Sequence, residues 1–268
     1  MDPWLLNSMT MFGICLGTAC TLMTVIWFVA RAIHNAGIVD VAWAFGFILL
    51  AGICVWCSDG WWLRRLFIYL MTAAWSLRLG FYLTRRFCKL FPAEDGRYRE
   101  LREQAGESAD RVLLLVFLWQ ALIMALLMAP AIVASANRQA QPLSGEWVGI
   151  LVWLIGLCGE SIADHQLSTF ASNPENTGKI CTIGLWQYSR HPNYFFEWLI
   201  WLGLFIFASA SPHGWMTVYA PLLMLHLLIN VTGVKPSEAH SLKTRGEAYA
   251  QYQKCTSMFV PWFKRQTL

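Results

Sequence analysis

Seven apolar runs, near 10–30, 38–57, 61–84, 112–135, 146–167, 193–211 and 214–232, dominate the chain. Each approaches the length of about 20 residues that a helix needs to cross roughly 30 Å of hydrocarbon. Inside lipid every backbone polar group must be satisfied internally, so runs of this kind fold as helices packed on one another. The expectation is an all-α integral membrane bundle of about seven transmembrane helices, forming a single membrane-embedded domain over 1–268. Composition agrees: 57% hydrophobic and 13% charged residues are too apolar for a soluble globule. A net charge of +4 gives no reason to expect a nucleic-acid partner. The first run lacks a basic leader and a small-residue cleavage pattern, and reads as a retained span.

Eight cysteines are scattered as Cys15, Cys20, Cys54, Cys57, Cys88, Cys158, Cys181 and Cys255. None has the paired Cys/His spacing of a zinc site, so no metal is expected. Cys54 and Cys57 form one CxxC at the end of an apolar run, outside any thioredoxin-like context, and read as incidental membrane cysteines. No disulfide framework follows from the spacing.

Orientation follows from Lys and Arg, which collect on the cytoplasmic side of short loops. With the N-terminus outside, 16 of the 20 basic residues fall on cytoplasmic segments, including Arg31, the 85–111 loop, Lys179, Arg190 and the tail with Lys264 and Arg265. Only Arg64, Arg65 and Arg138 lie opposite, with Arg78 inside the third span. The loop 85–111 and the C-terminus are therefore expected to be cytoplasmic, in a bacterial inner membrane or an endoplasmic reticulum. The tail 234–268, rich in aromatics such as Tyr249, Tyr252, Phe259 and Trp262, is expected to pack on the cytoplasmic mouth of the bundle. No repeat or inverted half-and-half symmetry is visible.

Ionisable residues inside spans cost about 2.5–3.5 kcal/mol each on insertion scales and mark cavities or paired networks. Five stand out: Asp40, Arg78, Glu160, Asp164 and Glu197. All fall toward the expected cytoplasmic ends of their spans, which suits a polar chamber where a charged cytosolic cofactor meets a lipid-soluble substrate. Asp164 and Glu197 flank the densest polar stretch, which runs from Ala163 to Trp198. Glu160 and Asp164 share a helix face at i,i+4, as do Asn193 and Glu197. Asn173-Pro174 and Asn176-Thr177-Gly178 break the helix, and Gly184 permits another bend. Pro192 suits the first position of the next helix, with His191 or a neighbour capping it. Arg190 and Lys179 bring positive charge to that entrance, where free N–H groups favour an anion.

The segment GLWQYSRHPNYFFEWLIWLG closely resembles the signature of uncharacterised multi-pass membrane proteins related to the C-terminal domain of steroid 5-alpha-reductases. IVDVAWAFGFILLA at 38–51, EDGRY at 94–98 and GEAYAQYQKCTSMFVPWF at 246–263 extend the resemblance over nearly the whole chain. It implies a seven-helix membrane oxidoreductase that uses NADPH to reduce a carbon–carbon double bond in a steroid or other lipid. The cofactor-binding positions it implies are Asp164, Lys179, Asn193 and Tyr194, with Asp95 and Arg97 at the cytoplasmic edge. Arg190, His191, Tyr249 and Tyr252 join them as candidates, and Glu197 and Tyr98 are the candidate catalytic groups. Two departures stand out. Phe196 occupies the place where the family pattern usually has Gly before Glu, and the substrate-polarising Tyr and Glu of the steroid enzymes have no clear counterpart.

The same RHPxY element also resembles S-adenosylmethionine-dependent membrane methyltransferases of the isoprenylcysteine carboxyl type. Those enzymes carry paired glutamates after the last helix, whereas KPSEAHSL here offers only Glu238. A third reading is a non-enzymatic membrane carrier using the polar chamber as a route. The outer halves of the spans hold no comparable ionisable residues, which counts against it. Membrane lipids and a lipid-soluble small molecule are the expected partners.

Overall fold

The computed structural model describes residues 3–263; Lys264 and Arg265 of the expected tail lie outside the described residues. Among these, helix dominates and no strand forms, as the apolar runs require. Ten α-helices follow in order: α1 (Pro3–Ala32), α2 (Ile38–Cys57), α3 (Trp62–Leu90), α4 (Gly96–Ala105), α5 (Ala109–Leu127), α6 (Ala129–Ala136), α7 (Ser144–Ser172), α8 (Pro192–Ser209), α9 (Tyr219–His226) and α10 (Val234–Cys255). Six helical stretches are long and apolar enough to cross a membrane: Leu6–Ala32, Ile38–Cys57, Trp62–Leu90, Gly96–Ala136, Ser144–Ser172 and Gly214–Cys255. This is the architecture of an integral multi-pass membrane protein. The seventh expected run is α8, 18 residues long. It falls outside the six because Pro192, Asn193, Tyr194 and Glu197 dilute its first turns.

The helices divide into two compact units, one of Met1–Leu143 with Ala208–Thr217, the other of Ser144–Phe207 with Val218–Leu268. In the first, α2 and α3 pack closely because small residues admit bulky ones. A Cβ on Gly80 would sit 2.6 Å from the Phe45 ring. Phe47 and Trp75 meet edge to face at 5.0 Å, both fully buried. One end of this unit is closed by Arg64, whose buried guanidinium donates to the carbonyls of Asn137, Gln139 and Gln141. The run expected at 112–135 is two helices: Pro130 cannot donate a backbone bond, and the chain turns at Met128 before α6.

In the second unit α7 and α8 run antiparallel in a close register. Gly149, Trp153, Gly156 and Gly159 line one face of α7, and Phe196, Ile200, Gly203 and Phe207 answer from α8. A Cβ on Gly149 would lie 2.5 Å from the Phe207 nitrogen, and one on Gly203 2.6 Å from the Trp153 nitrogen. Such contacts are how helices approach in lipid, where no hydrophobic force separates core from surroundings. The run at 214–232 is a 3-10 turn, then α9, then a π turn ending at Val231. Pro221, early in α9, denies that helix an earlier regular start. The segment expected as a packed tail is largely helical, as α10, with a kink at Gly246 (φ 52°, ψ −130°).

Candidate functional site

The candidate residues fall into two clusters, one in each unit. In the second unit the α7–α8 register carries on past Gly159 and brings Asp164 to the first turn of α8, where the Asn193 amide donates to its carboxylate at 3.3 Å. A carboxylate only accepts, so the amide nitrogen faces Asp164 and the amide oxygen faces away. That Asn193 oxygen is buried and has no hydrogen-bond partner among the described residues. One turn on, Glu197 is buried and accepts from the Trp201 indole at 3.0 Å. His191 and Tyr194 stack at 5.5 Å with their planes 9° apart. Gly159 explains how the Phe196 departure is tolerated: a Cβ there would meet the Phe196 ring at 2.3 Å, so the missing side chain on α7 makes the room that the added one on α8 fills.

The loop between α7 and α8 is held in place from both ends. Gln166 accepts from the Leu185 N–H at 2.9 Å, in the space that a side chain on Gly184 would need. Gly184 adopts φ 54°, the bend its identity permits. The Trp186 indole donates to the Ala163 carbonyl at 2.9 Å. His191 is the cap in the backbone sense, its carbonyl accepting from Phe195 at 3.1 Å. Lys179 is exposed in this loop.

Arg190 is buried rather than open at the entrance. Its guanidinium donates to Glu238 at 2.7 Å and to the carbonyls of Gln253 and Thr256 at 3.0 and 2.6 Å. Glu238 also meets His191 at 3.3 Å and accepts from the Gln253 amide at 2.8 Å. Tyr252 donates its hydroxyl to the Trp186 carbonyl and lies edge-on to Tyr249 at 5.9 Å, both rings buried. The extended piece after α10 runs beside this loop: the backbone N–H of Arg190 donates to the Ser257 carbonyl and that of Trp262 to the Tyr188 carbonyl, at 2.8 and 2.9 Å. The described part of the segment after 234 thus lies against the RHP segment. Glu238 and Gln253 were not legible as partners of Arg190, since they lie 48 and 63 positions away.

In the first unit Asp95 caps α4, accepting from the Arg97 backbone N–H at 3.1 Å. The Arg97 side chain bridges Asp95 and Asp40, at 3.1 and 2.7 Å, and Tyr98 donates to Asp40 at 2.6 Å from a buried position. Arg86 reaches Asp95 at 2.7 Å. Asp40, Arg86 and Asp95 line a small cleft of about 20 Å³, together with Asn35, Leu83, Phe87 and Leu90. Beside it, Glu94 accepts from the Ala36 N–H at 2.8 Å and pairs with Arg102 at 3.0 Å. Burial works against ionisation of Glu94, yet Arg102 and the Ala36 N–H outweigh it and hold the carboxyl below the usual glutamate range. Asp95 is likewise lowered: burial opposes, and Arg97 with Arg86 prevails.

No cluster of three or more metal-ligating residues forms among the described residues. The donor set of the α7–α8 junction is amide, carboxylate, imidazole and phenol, which suits a polar organic ligand.

Compared with known proteins, residues 26–256 match the family model described as Protein of unknown function (DUF1295). Among curated relatives from Schizosaccharomyces pombe, Uncharacterized protein C9.08c is 32% identical over 109 residues, covering 34% of this chain and 39% of that protein. Uncharacterized protein C594.04c is 27% identical over 183 residues, covering 59% of this chain and 53% of that protein. The matches therefore span about half or less of the length of these relatives. No solved structure matches the chain.

Proposed function

The chain belongs to the DUF1295 family of proteins of unknown function, and from that premise we propose that it is a membrane oxidoreductase reducing a carbon–carbon double bond of a lipid or steroid-like substrate with NADPH. The observation that carries the reading is the Asn193 amide oxygen, turned away from Asp164, buried and without a hydrogen-bond partner among the described residues. Leaving a buried acceptor unsatisfied costs about 1–3 kcal/mol, which a ligand bearing an N–H or O–H would recover. The carboxamide and ribose hydroxyls of a nicotinamide dinucleotide are such donors.

In this reading Asp164 fixes the orientation of the Asn193 amide, and Asn193 presents its oxygen to the cofactor. Tyr194, stacked on His191, offers a flat apolar face beside it. Lys179, exposed in the loop, is the cation available to the phosphates. Arg190 acts through position: its bonds to Glu238, Gln253 and Thr256 hold the RHP segment on α10. Glu197, buried one turn from Asn193, is the candidate group for orienting the reacting end. When bound, NADPH supplies a hydride, and the chain supplies placement and exclusion of water.

The methyltransferase alternative would use Glu238 to bind the amino group of S-adenosylmethionine. That carboxylate already serves Arg190, His191 and Gln253, which weighs against it.

The test is titration of detergent-purified protein with NADPH and, separately, S-adenosylmethionine, followed by tryptophan fluorescence. NADPH is expected to bind and the methyl donor not to. Asn193→Ala is expected to weaken NADPH binding about tenfold, one to two hydrogen bonds' worth. Tight methyl-donor binding with no response to NADPH would reverse the assignment, and unchanged NADPH affinity in a folded Asn193→Ala variant would remove the junction from the site.

A further inference from the structure

Two thiols that the sequence leaves 39 positions apart lie against each other in the first unit. Cys15 of α1 and Cys54 of α2 are fully buried, with their sulfurs 3.7 Å apart. Cys54 sits in the last turn of α2, where its carbonyl accepts from the Ser58 N–H at 3.2 Å. Three residues further on, Cys57 ends the helix and is exposed. Positions i and i+3 of a helix are neighbours, with Cβ atoms roughly 5–6 Å apart. A local adjustment of a terminal turn brings such a pair within the usual range of a disulfide. The CxxC therefore joins an exposed sulfur to a buried one, and the buried one touches a second buried sulfur on another helix.

We propose that Cys15, Cys54 and Cys57 form a thiol relay, and that its product is a Cys15–Cys54 disulfide joining α1 to α2. A small external disulfide exchanges with the Cys57 thiol, releasing one thiol and leaving a mixed disulfide. The Cys54 sulfur attacks the Cys57 sulfur and expels the second small thiol. The Cys15 sulfur then attacks Cys54, restoring the Cys57 thiol. Each step transfers the proton of the attacking thiol to the departing thiolate. In sum, two protein thiols are oxidised to a disulfide while one small disulfide is reduced to two thiols. The orientation favoured by the basic residues puts this end of α2 on the non-cytoplasmic side, where disulfides form and persist. This relay does not rest on the proposed reductase activity.

The test uses the full chain in lipid nanodiscs, reduced and then exposed to oxidised glutathione. Remaining thiols are alkylated after denaturation, and the digested peptides are weighed. The expected product is a peptide pair joined through Cys15 and Cys54, lighter than its parts by a pair of hydrogens. Cys57→Ser is expected to slow its formation by about tenfold, since the two relay sulfurs that remain, Cys15 and Cys54, are both buried. Cys15→Ser is expected to stop the chain at Cys57, as a Cys54–Cys57 disulfide or a glutathione adduct. Recovery of Cys15 and Cys54 as free thiols alongside a modified Cys57 would overturn the proposal, leaving the pair as ordinary buried hydrophobes. Equal rates in the parent and Cys57→Ser proteins would overturn the relay.

Discussion

Phe196 and Gly159 act as one unit at the α7–α8 contact. The bulky ring on α8 is admissible because α7 presents no Cβ beneath it. Inserting a methyl group into such a contact costs typically about 1–3 kcal/mol, because side chains or backbone must shift. Gly159→Ala is therefore expected to lower the thermal midpoint of the purified protein, and the same change in a Phe196→Gly background is expected to cost much less. Equal losses in both backgrounds would separate the two positions. The sequence marked Phe196 as unusual but offered no reason to look at Gly159, because the answering residue sits 37 positions earlier on another helix. Asn193 and Glu197 were legible from their i,i+4 spacing alone. The Asp164–Asn193 bond, and with it the direction of the amide oxygen, needed the register of two helices.

The turn that joins α3 to α4 ends in two carboxylates, Glu94 and Asp95, and its stability should follow their titration. Glu94 ties this turn to the connection between α1 and α2 through the Ala36 N–H, and Asp95 caps α4. Both carboxyls are held below their usual values in the folded chain. A depressed folded value favours the folded state above the unfolded carboxylate range, roughly pH 4, and that stabilisation fades as pH falls through the folded values. Hydrogen exchange across 91–105 is expected to be slow near neutrality and to accelerate, once corrected for intrinsic rates, as pH drops below about 4. Glu94→Gln should flatten part of that dependence, and a parent profile without pH dependence would contradict the account. At this scale the sequence was a good guide where a helix is uninterrupted. It anticipated α2 to the residue, and α3 and α7 apart from their polar ends. It merged α5 with α6 and treated 214–232 as one span, because a proline inside an apolar run changes hydrogen bonding without changing hydropathy. It read the segment after 234 as a tail because α10 is polar on most faces, and such a helix gives no apolar period.

For the molecule as a whole, apolar length fixed the class of fold, and charge bias is what bears on its orientation. The first unit supplies natural reporters for that question. Arg64 gathers the 137–141 carbonyls at the start of α3, and Arg138 pairs with Asp59 nearby. Asp40, Glu94, Asp95 and Arg97 gather at the far end of α3, some 29 residues away along the helix. Cys57 and Cys88 are exposed at these opposite ends. If basic residues set the topology, Cys57 faces the non-cytoplasmic side and Cys88 the cytoplasm. In intact, reduced cells a membrane-impermeant maleimide is expected to label Cys57 and spare Cys88, and permeabilisation should expose Cys88. The opposite pattern would invert the chain and place the Asp40–Arg97 cluster outside. It would also move the relay thiols to a reducing compartment, where a Cys15–Cys54 disulfide would not persist.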